Sequence, residues 1–201
     1  MKQNRIELNF FTKILWLLFV CLVSVKGISA PPFSPLFTPK KHEVRAVWLT
    51  TFRGLDWPTT QVKSEADIDK QKKELTDILD KLAAGNMHAC FMQVRSLCDA
   101  MYVSSYENWS SLLTGTRGKD PGYDPLAFAI EEAHKRGLEL HAWVNPFRVT
   151  STGTLASTDL VKKNAGQWII QYNNGSFKGQ IIDPGYPQPR AYVIKVLMEI
   201  I

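Results

Sequence analysis

The alternation of predicted strands and helices constrains the fold of this chain more than any other feature of its sequence. Residues 43–51 (EVRAVWLTT), 88–95 (HACFMQVR) and 138–145 (LELHAWVN) are rich in apolar, β-branched or aromatic residues, which predicts three strands. Between them, apolar residues at helical spacing predict helices over residues 67–84 and 125–136. Because no hairpin signal joins these strands, the pattern predicts an α/β fold with a parallel sheet.

The apolar residues also predict which helix faces are buried. In the second helix the predicted buried stripe consists of Leu126, Ile130 and Ala133. A third helix begins near Pro189, and its predicted buried residues are Ala191, Val193, Ile194, Leu197 and Ile201. This pattern reaches the last residue without a cap or a stop signal, so we expect the chain to be truncated within this helix.

The first 30 residues have the three parts of a signal peptide: a basic start, an apolar run over residues 14–25, and small residues near Ala30. The run is shorter than the roughly 20 residues of a membrane-spanning helix, which predicts transient membrane contact rather than a permanent anchor. Cleavage after Gly27 is the alternative to cleavage after Ala30. A lipid anchor on Cys21 is not favoured, because Phe19 and Val20 precede it where a small residue is needed. We therefore expect export to the periplasm or cell envelope.

Charge and proline content define the rest of the domain organisation. Of the formal net charge of +5, four basic residues and one acid lie in the first 30 residues, which leaves +2 and argues against a nucleic-acid partner. Residues 31–40 (PPFSPLFTPK) predict a proline-rich tether, and residues 41–201 the folded domain.

The cysteine and histidine spacing predicts neither a metal site nor a cofactor. Four histidines are scattered through the chain without the Cys/His spacing of a zinc site. Export would permit Cys90 and Cys98 to pair. The strand pattern around Cys90 instead favours a small buried residue.

Polar and aromatic side chains near the carboxyl ends of the predicted strands are the candidate binding residues, because parallel α/β sheets place their sites there. We predict substrate binding by Trp48, Gln93, Arg95, His141, Trp143, Asn145 and Arg148. The tryptophans offer the apolar faces on which sugar rings stack. Alternatives remain open for these residues: a satisfied internal network for Gln93 and Arg95, a core position for His141, and core packing for the tryptophans.

Two acidic residues in loops, Asp99 and Asp183, are the candidate catalytic carboxylates. The alternative for each is a turn-forming or ion-pairing role, which is more common for a loop Asp.

Five stretches in order carry a resemblance to a known family: EVRAVWLTT, FMQVRSLCDAMY, ENWSSLLTG, PGYDPLAFAIEEAHKRGLELHAWVNPFR and IIDPGYPQPRAYV. Together they resemble the glycosyl-hydrolase-like 10 family over most of residues 43–201. The resemblance implies a (β/α)8 TIM barrel acting on glycans, in exported or lipoprotein members of bacterial envelopes. Such a barrel needs about 250 residues, so this chain would be its N-terminal portion.

The resemblance also implies site residues and a function. Arg95, Asp99, His141, Asn145, Arg148 and Asp183 fall on the family's motif positions and would line the cleft. Ser96 and Asn108 depart from the proline usual at those positions, which affects the expected shape of the loops. We expect a glycoside hydrolase acting on bacterial envelope glycan, such as the glycan strands of peptidoglycan. The alternative is a non-catalytic glycan-binding barrel protein, and a metal-dependent deacetylase is disfavoured for lack of clustered ligands.

Overall fold

The computed structural model of the protein describes residues 43–150, 164–173, 175 and 178–201. The described residues from Val44 onward belong to one compact unit. The predicted signal peptide, over residues 1–30, and the predicted tether, over residues 31–40, lie outside the described residues and stay predictions.

Three parallel strands form the main sheet, in the order β1-β2-β3: β1 (Ala46–Leu49), β2 (Ala89–Arg95) and β3 (Glu139–Val144). A 3-10 turn (Phe52–Gly54) and helix α1 (Glu65–Ala84) join β1 to β2. A short helix α2 (Ser111–Thr114) and helix α3 (Pro125–Lys135) join β2 to β3. The predicted α/β class is confirmed, and the arrangement is that of a section of a (β/α)8 barrel.

The main core lies between one face of this sheet and the helices. Alternate residues of β2, namely Cys90, Met92 and Val94, are fully buried in it. Leu75 and Leu79 of α1 pack against them, as the helical spacing predicts. Burial of each such leucine stabilises the fold by about 1.5–3 kcal/mol relative to an exposed position.

The predicted buried stripe of α3 is wrong at one position. Leu126, Ala129 and Ala133 are buried, whereas Ile130 is 37% exposed. Successive residues of a helix are 100° apart around its axis, so Leu126, Ala129 and Ala133 define the buried face and Ile130 lies at the edge of that face. The helix begins as predicted, because the Asp124 carboxylate accepts a hydrogen bond from the Ala127 amide at 3.0 Å.

A second, antiparallel sheet follows β3 in the chain and precedes the last helix, in a segment for which the sequence analysis predicted no strand. Its strands are β4 (Arg148–Thr150), β5 (Ile169–Asn173) and β6 (Lys178–Ile182), in the order β4-β6-β5, with a short helix α4 (Ala165–Trp168) before β5. The Asn-Gly dipeptide at residues 174–175 is a hairpin signal that the prediction overlooked.

Helix α5 (Pro187–Leu197) follows, and its buried face differs from the predicted one. Tyr192, Val193 and Val196 are buried, whereas Ile194 is 58% exposed. The three buried residues belong to a second core, in which α5 packs against buried residues of the second sheet such as Val149 and Ile182. In this core the Tyr192 ring lies 5.7 Å from that of Trp168. The helix ends at Leu197 rather than continuing through the last residues. None of the helices in the described ranges is long and apolar enough to cross a bilayer.

Candidate functional site

The loop after β1 is held by a single side-chain oxygen on the neighbouring strand. Gln93 Oε1 accepts hydrogen bonds from the backbone amides of Thr51 at 3.1 Å and Phe52 at 2.9 Å, and from the Thr50 hydroxyl at 2.9 Å. Gln93 is 1% exposed. It therefore fixes the carboxyl end of β1, and its predicted direct contact with a glycan stays a prediction.

Four rings, Trp48, Phe91, His141 and Trp143, form an aromatic row across the face of the main sheet. Phe91 stacks on Trp48 and on His141 with centroid distances of 4.8 Å each, because the three residues are aligned in the parallel register. Trp143 meets Trp48 edge-on at 5.0 Å. Trp48 is 60% exposed among the described residues. Trp48, Phe91 and His141 are each the third residue of their strand, on the face opposite the helices, whereas Trp143 lies nearer the carboxyl end of β3.

Asn145 connects the aromatic row to the loop after β2. Its side-chain oxygen accepts the indole N–H of Trp143 at 3.1 Å, and its side-chain nitrogen donates to the Ser96 carbonyl at 3.3 Å. The structure thus brings together the predicted site residues Trp48, His141, Trp143 and Asn145. His141 is exposed among the described residues, and its Nε2 lies 3.1 Å from a Glu139 carboxylate oxygen. Its contact with a glycan stays a prediction.

Arg95 lies inside the protein, in an ion pair with Glu107 at 2.6 Å in which neither side chain is exposed. Its guanidinium also donates to the backbone carbonyls of Asn145 at 2.6 Å and Pro146 at 3.1 Å, and to Cys98 Sγ at 3.0 Å. This is the internal network that was the alternative to direct binding. Through it Arg95 holds the carboxyl end of β3, and its contact with a glycan stays a prediction.

Glu107 is the buried acid that the sequence analysis missed. Tyr192 of α5 donates to Glu107 Oε1 at 2.9 Å, whereas Oε2 is buried without a hydrogen-bond partner. Burial raises the pKa of Glu107, and the Arg95 guanidinium offsets part of that rise. The sequence did contain a signal for this acid. A buried arginine needs a carboxylate partner, and Glu107 is the single glutamate in residues 96–123, which follow the strand of Arg95.

The two candidate catalytic carboxylates each close a turn of their own loop. Asp99 Oδ1 accepts the amides of Ser96 at 3.2 Å and Leu97 at 2.7 Å, and Asp99 is 4% exposed. Asp183 Oδ1 accepts the Gly185 amide at 2.7 Å, and this side chain is half-buried. Both residues have the turn-forming role that was their alternative. Their catalytic roles stay predictions.

Arg148 opens β4 and lies over an aromatic ring of the loop after β1. Its guanidinium carbon is 4.5 Å from the Phe52 centroid, and that of Arg53 is 5.2 Å from the same ring. Arg148 therefore brings the second sheet against the end of β1.

Cys90 and Cys98 are free, buried thiols that belong to different cores. Burial raises the pKa of Cys90 to about 11 and that of Cys98 to about 12, so both remain protonated. In the part of the chain that the structure describes, no three His, Cys, Asp or Glu side chains gather in a group that could hold a metal ion. That the protein needs neither a metal nor a cofactor stays a prediction.

Comparison with known proteins gives the family. Glycosyl hydrolase YngK of Bacillus subtilis (strain 168) is 40% identical over 163 residues, which cover 80% of this chain and 31% of YngK. Glycosyl hydrolase DigH of Escherichia coli (strain K12) is 32% identical over 215 residues, which cover 94% of this chain and 47% of DigH. The chain thus spans less than half the length of either relative.

Among solved structures, the alpha-galactosidase TtGalA from Thermus thermophilus is similar to 78% of this chain and 28% of its own, with 15% identity and a TM-score of 0.44. The family described as Glycosyl hydrolase-like 10 matches residues 43–201. Because this match covers the whole segment from the first strand to the last helix, the chain belongs to the glycosyl hydrolase-like 10 family.

Proposed function

We propose that the protein is a glycoside hydrolase that cleaves bacterial envelope glycan, such as the glycan strands of peptidoglycan. The observation that carries the proposal is the cluster at the carboxyl end of β3, where Trp143 donates its indole N–H to the Asn145 side chain and Asn145 in turn contacts the loop after β2. An apolar platform next to a hydrogen-bonding amide suits a sugar ring, which has one apolar face and a polar rim. Membership of a glycosyl-hydrolase-like family supports the same conclusion.

Hydrolysis of a glycosidic bond requires two carboxyl groups, one to protonate the leaving oxygen and one to act as nucleophile or base. Asp99 and Asp183 are the proposed contributors from this chain. Each uses Oδ1 for its own turn, and none of the described residues donates a hydrogen bond to the Oδ2 atom of either. A carboxylate held by one oxygen is oriented, while its second oxygen can face a ligand.

The experiment compares Asp99→Asn and Asp183→Asn in protein expressed from its complete gene, with purified glycan strands as substrate and new reducing ends as the readout. Loss of a catalytic carboxylate should lower turnover by about 100-fold or more. Asp120→Asn is the matched control, because Asp120 Oδ1 accepts the Gly122 amide at 2.7 Å in the same kind of turn as Asp183. Wild-type turnover by both test variants would remove these residues from the mechanism.

The second candidate function is glycan binding without hydrolysis, and the turn-forming hydrogen bonds of both aspartates are the observation that favours it. The two functions differ in one measurement. A Trp143→Ala variant should weaken binding to glycan strands in either case, but only an enzyme releases reducing ends. Binding without release by the wild-type protein would establish the second function.

We also propose that the protein is exported, which the signal-peptide pattern of residues 1–30 supports. Cell fractionation tests this directly: the complete protein should be found outside the cytoplasm, and a variant without residues 1–30 inside it. Equal distribution of both would exclude a targeting role for these residues.

A further inference from the structure

The loop after β1 presents an arginine in a conformation that side-chain-bearing residues rarely adopt. Arg53 has φ 58° and is followed by Gly54 at φ 64°, so two consecutive residues lie in the left-handed region. Such a backbone costs on the order of 1 kcal/mol or more at a non-glycine residue and persists only where its surroundings impose it. Here the amides of Thr51 and Phe52 are fixed by Gln93, and the Gly54 amide donates to the Thr51 carbonyl at 3.0 Å.

Arg53 lies at the wall of an open cleft of about 460 Å³, which we call the Arg53 cleft. Its lining includes Arg53, Pro58, Thr59, Gln61, Lys63 and Leu112. The volume falls within the range of about 300–1,000 Å³ that is typical of small-molecule sites. The lining combines two cations with hydroxyl and amide groups and two apolar side chains, which is the composition that a charged sugar requires.

The Arg53 cleft keeps a net positive charge, because its lining has two cations and one carboxylate. Neither Arg53 nor Lys63 forms an ion pair with any of the described carboxylates. The cleft has one acidic lining residue, Asp67, whose Oδ2 already accepts the amides of Lys63 at 3.0 Å and Ser64 at 2.9 Å and the Ser64 hydroxyl at 2.8 Å. That carboxylate serves the start of α1, so the two cations remain available to a ligand.

Two further carboxylates, those of Asp56 and Glu74, are similarly engaged. Asp56 Oδ2 accepts the Thr50 amide at 2.8 Å. Glu74 Oε2 accepts the amides of Thr59 at 3.0 Å and Thr60 at 3.2 Å. Each of these carboxylates therefore contributes to loop structure.

The Phe52 ring links the Arg53 cleft to one predicted site residue, Arg148. The guanidinium groups of Arg53 and Arg148 both lie over this ring, at 5.2 and 4.5 Å. A guanidinium stacked on an aromatic face keeps its N–H groups at the rim, where they can bind a carboxylate in the bidentate geometry that a lysine cannot provide. Both arginines are thus oriented before a ligand arrives.

We propose that the Arg53 cleft is a subsite for an acidic sugar, in which Arg53 and Lys63 bind the carboxylate and Leu112 and Pro58 contact the ring. The inference rests on the proposed function, because it assigns a substrate class to a cleft whose Arg53 shares the Phe52 ring with the predicted site residue Arg148. Carboxylate is favoured over phosphate as the ligand group, because the lining provides contacts for a sugar ring in addition to the charge.

The test measures binding of two probes to protein expressed from its complete gene, by calorimetry at fixed salt: a glucuronate-containing disaccharide and the same disaccharide with its carboxyl reduced to an alcohol. The acidic probe should bind at least tenfold more tightly, the effect of one charge-assisted hydrogen bond or more. Arg53→Gln and Lys63→Gln should each remove most of that difference. Lys81→Gln is the control, since Lys81 lies in the last turn of α1, roughly 25 Å from its start, and should leave the difference unchanged.

Two results would overturn the proposal: equal affinity of the wild-type protein for both probes, or unchanged discrimination in Arg53→Gln and Lys63→Gln. Inorganic phosphate provides a third arm, and displacement of the acidic disaccharide by phosphate at equal concentration would identify a general anion site instead. Release of reducing ends from glycan strands is measured in parallel. Intact hydrolysis without acidic-sugar preference refutes the subsite alone, whereas acidic-sugar preference without hydrolysis refutes the proposed function alone.

Discussion

Arg95 and Glu107 form an ion pair with no solvent exposure on either side chain. Removing two charges from water costs several kcal/mol, which their attraction and their further hydrogen bonds to Asn145, Pro146 and Tyr192 offset. Such a pair adds little net stability compared with apolar residues of similar size. Removal of one member is nevertheless strongly destabilising, because the other charge stays buried without a partner. The pair holds the end of β3 against the loop after β2, and in this way it supports the candidate site.

We predict that Arg95→Met lowers the free energy of unfolding by about 3–5 kcal/mol at pH 8, because it leaves the Glu107 carboxylate buried without a cation. Burial already raises the pKa of Glu107, and loss of the guanidinium raises it further. The native state then binds a proton that the unfolded state has released, so stability falls as pH rises and the loss at pH 5 is smaller. Urea unfolding at both pH values measures this.

The control for this prediction is the double variant Arg95→Met with Glu107→Gln, which removes the uncompensated charge and should recover part of the stability at pH 8. An equal loss at pH 5 and pH 8 would show that ionisation of Glu107 does not determine the effect.

At the scale of elements, the second sheet depends on close packing around one glycine of its central strand. A Cβ on Gly179 would lie 2.5 Å from the Thr150 carbonyl oxygen of β4 and in contact with the Tyr172 hydroxyl of β5. Because this oxygen belongs to the backbone of Thr150, it cannot move away without displacing strand β4. Gly179 thus allows β4 and β5 to pack on both sides of β6.

We predict that Gly179→Ala lowers the free energy of unfolding by about 1–3 kcal/mol through overpacking, with increased hydrogen exchange at the amides of Gln180 and Ile182. Gly166→Ala is the matched control, since nothing lies within 4 Å of its added Cβ and its φ is not in the left-handed region. Wild-type exchange in Gly179→Ala would mean that β4 accommodates the methyl group.

The elements that the sequence predicted are those specified by local signals. The strands of the main sheet and helices α1 and α3 were predicted from periodicity, and the Asp124 cap from its residue type. The β4-β6-β5 sheet was not predicted, because its strands are short and one of its pairings joins segments about 30 residues apart. Sequence patterns carry little information about such contacts.

The same distinction applies to the candidate site. Three rings of the aromatic row, those of Trp48, His141 and Trp143, were predicted as site residues, whereas Phe91, which stacks on Trp48 and on His141, was not. The partners of Gln93 were not predicted either, since they are backbone amides, which every residue except proline provides. Residue type therefore indicated polar and aromatic side chains on the main sheet as candidates. It did not indicate that Gln93 and Arg95 are buried and hydrogen-bond to the neighbouring loops.

At the scale of the whole molecule, the main sheet has one face covered by helices and one that carries the exposed aromatic row. Strands β1 and β3 are also its edges within the described residues, and an unpaired edge offers hydrogen-bonding groups to another chain. Both features favour association of the chain with itself.

We predict that the isolated 201-residue chain self-associates at micromolar concentration, and that Trp48→Ser reduces the association because it removes the most exposed ring of the row. Val103→Ser is the control, since Val103 is 69% exposed but lies outside the row. Size-exclusion chromatography with light scattering gives the masses. A monodisperse wild-type chain that unfolds cooperatively would contradict the prediction.

The support that Gln93 gives to the loop after β1 has a consequence for how such a protein can change. Two of its hydrogen bonds go to backbone amides, which any residue except proline provides at positions 51 and 52, and a third interaction comes from the buried Thr51 hydroxyl, which donates to the Gln93 backbone carbonyl at 3.1 Å. The neighbouring residues, including Arg53, are then free to vary without a new loop conformation having to evolve. Specificity at this rim can diversify by single substitutions, while the scaffold beneath it is inherited unchanged.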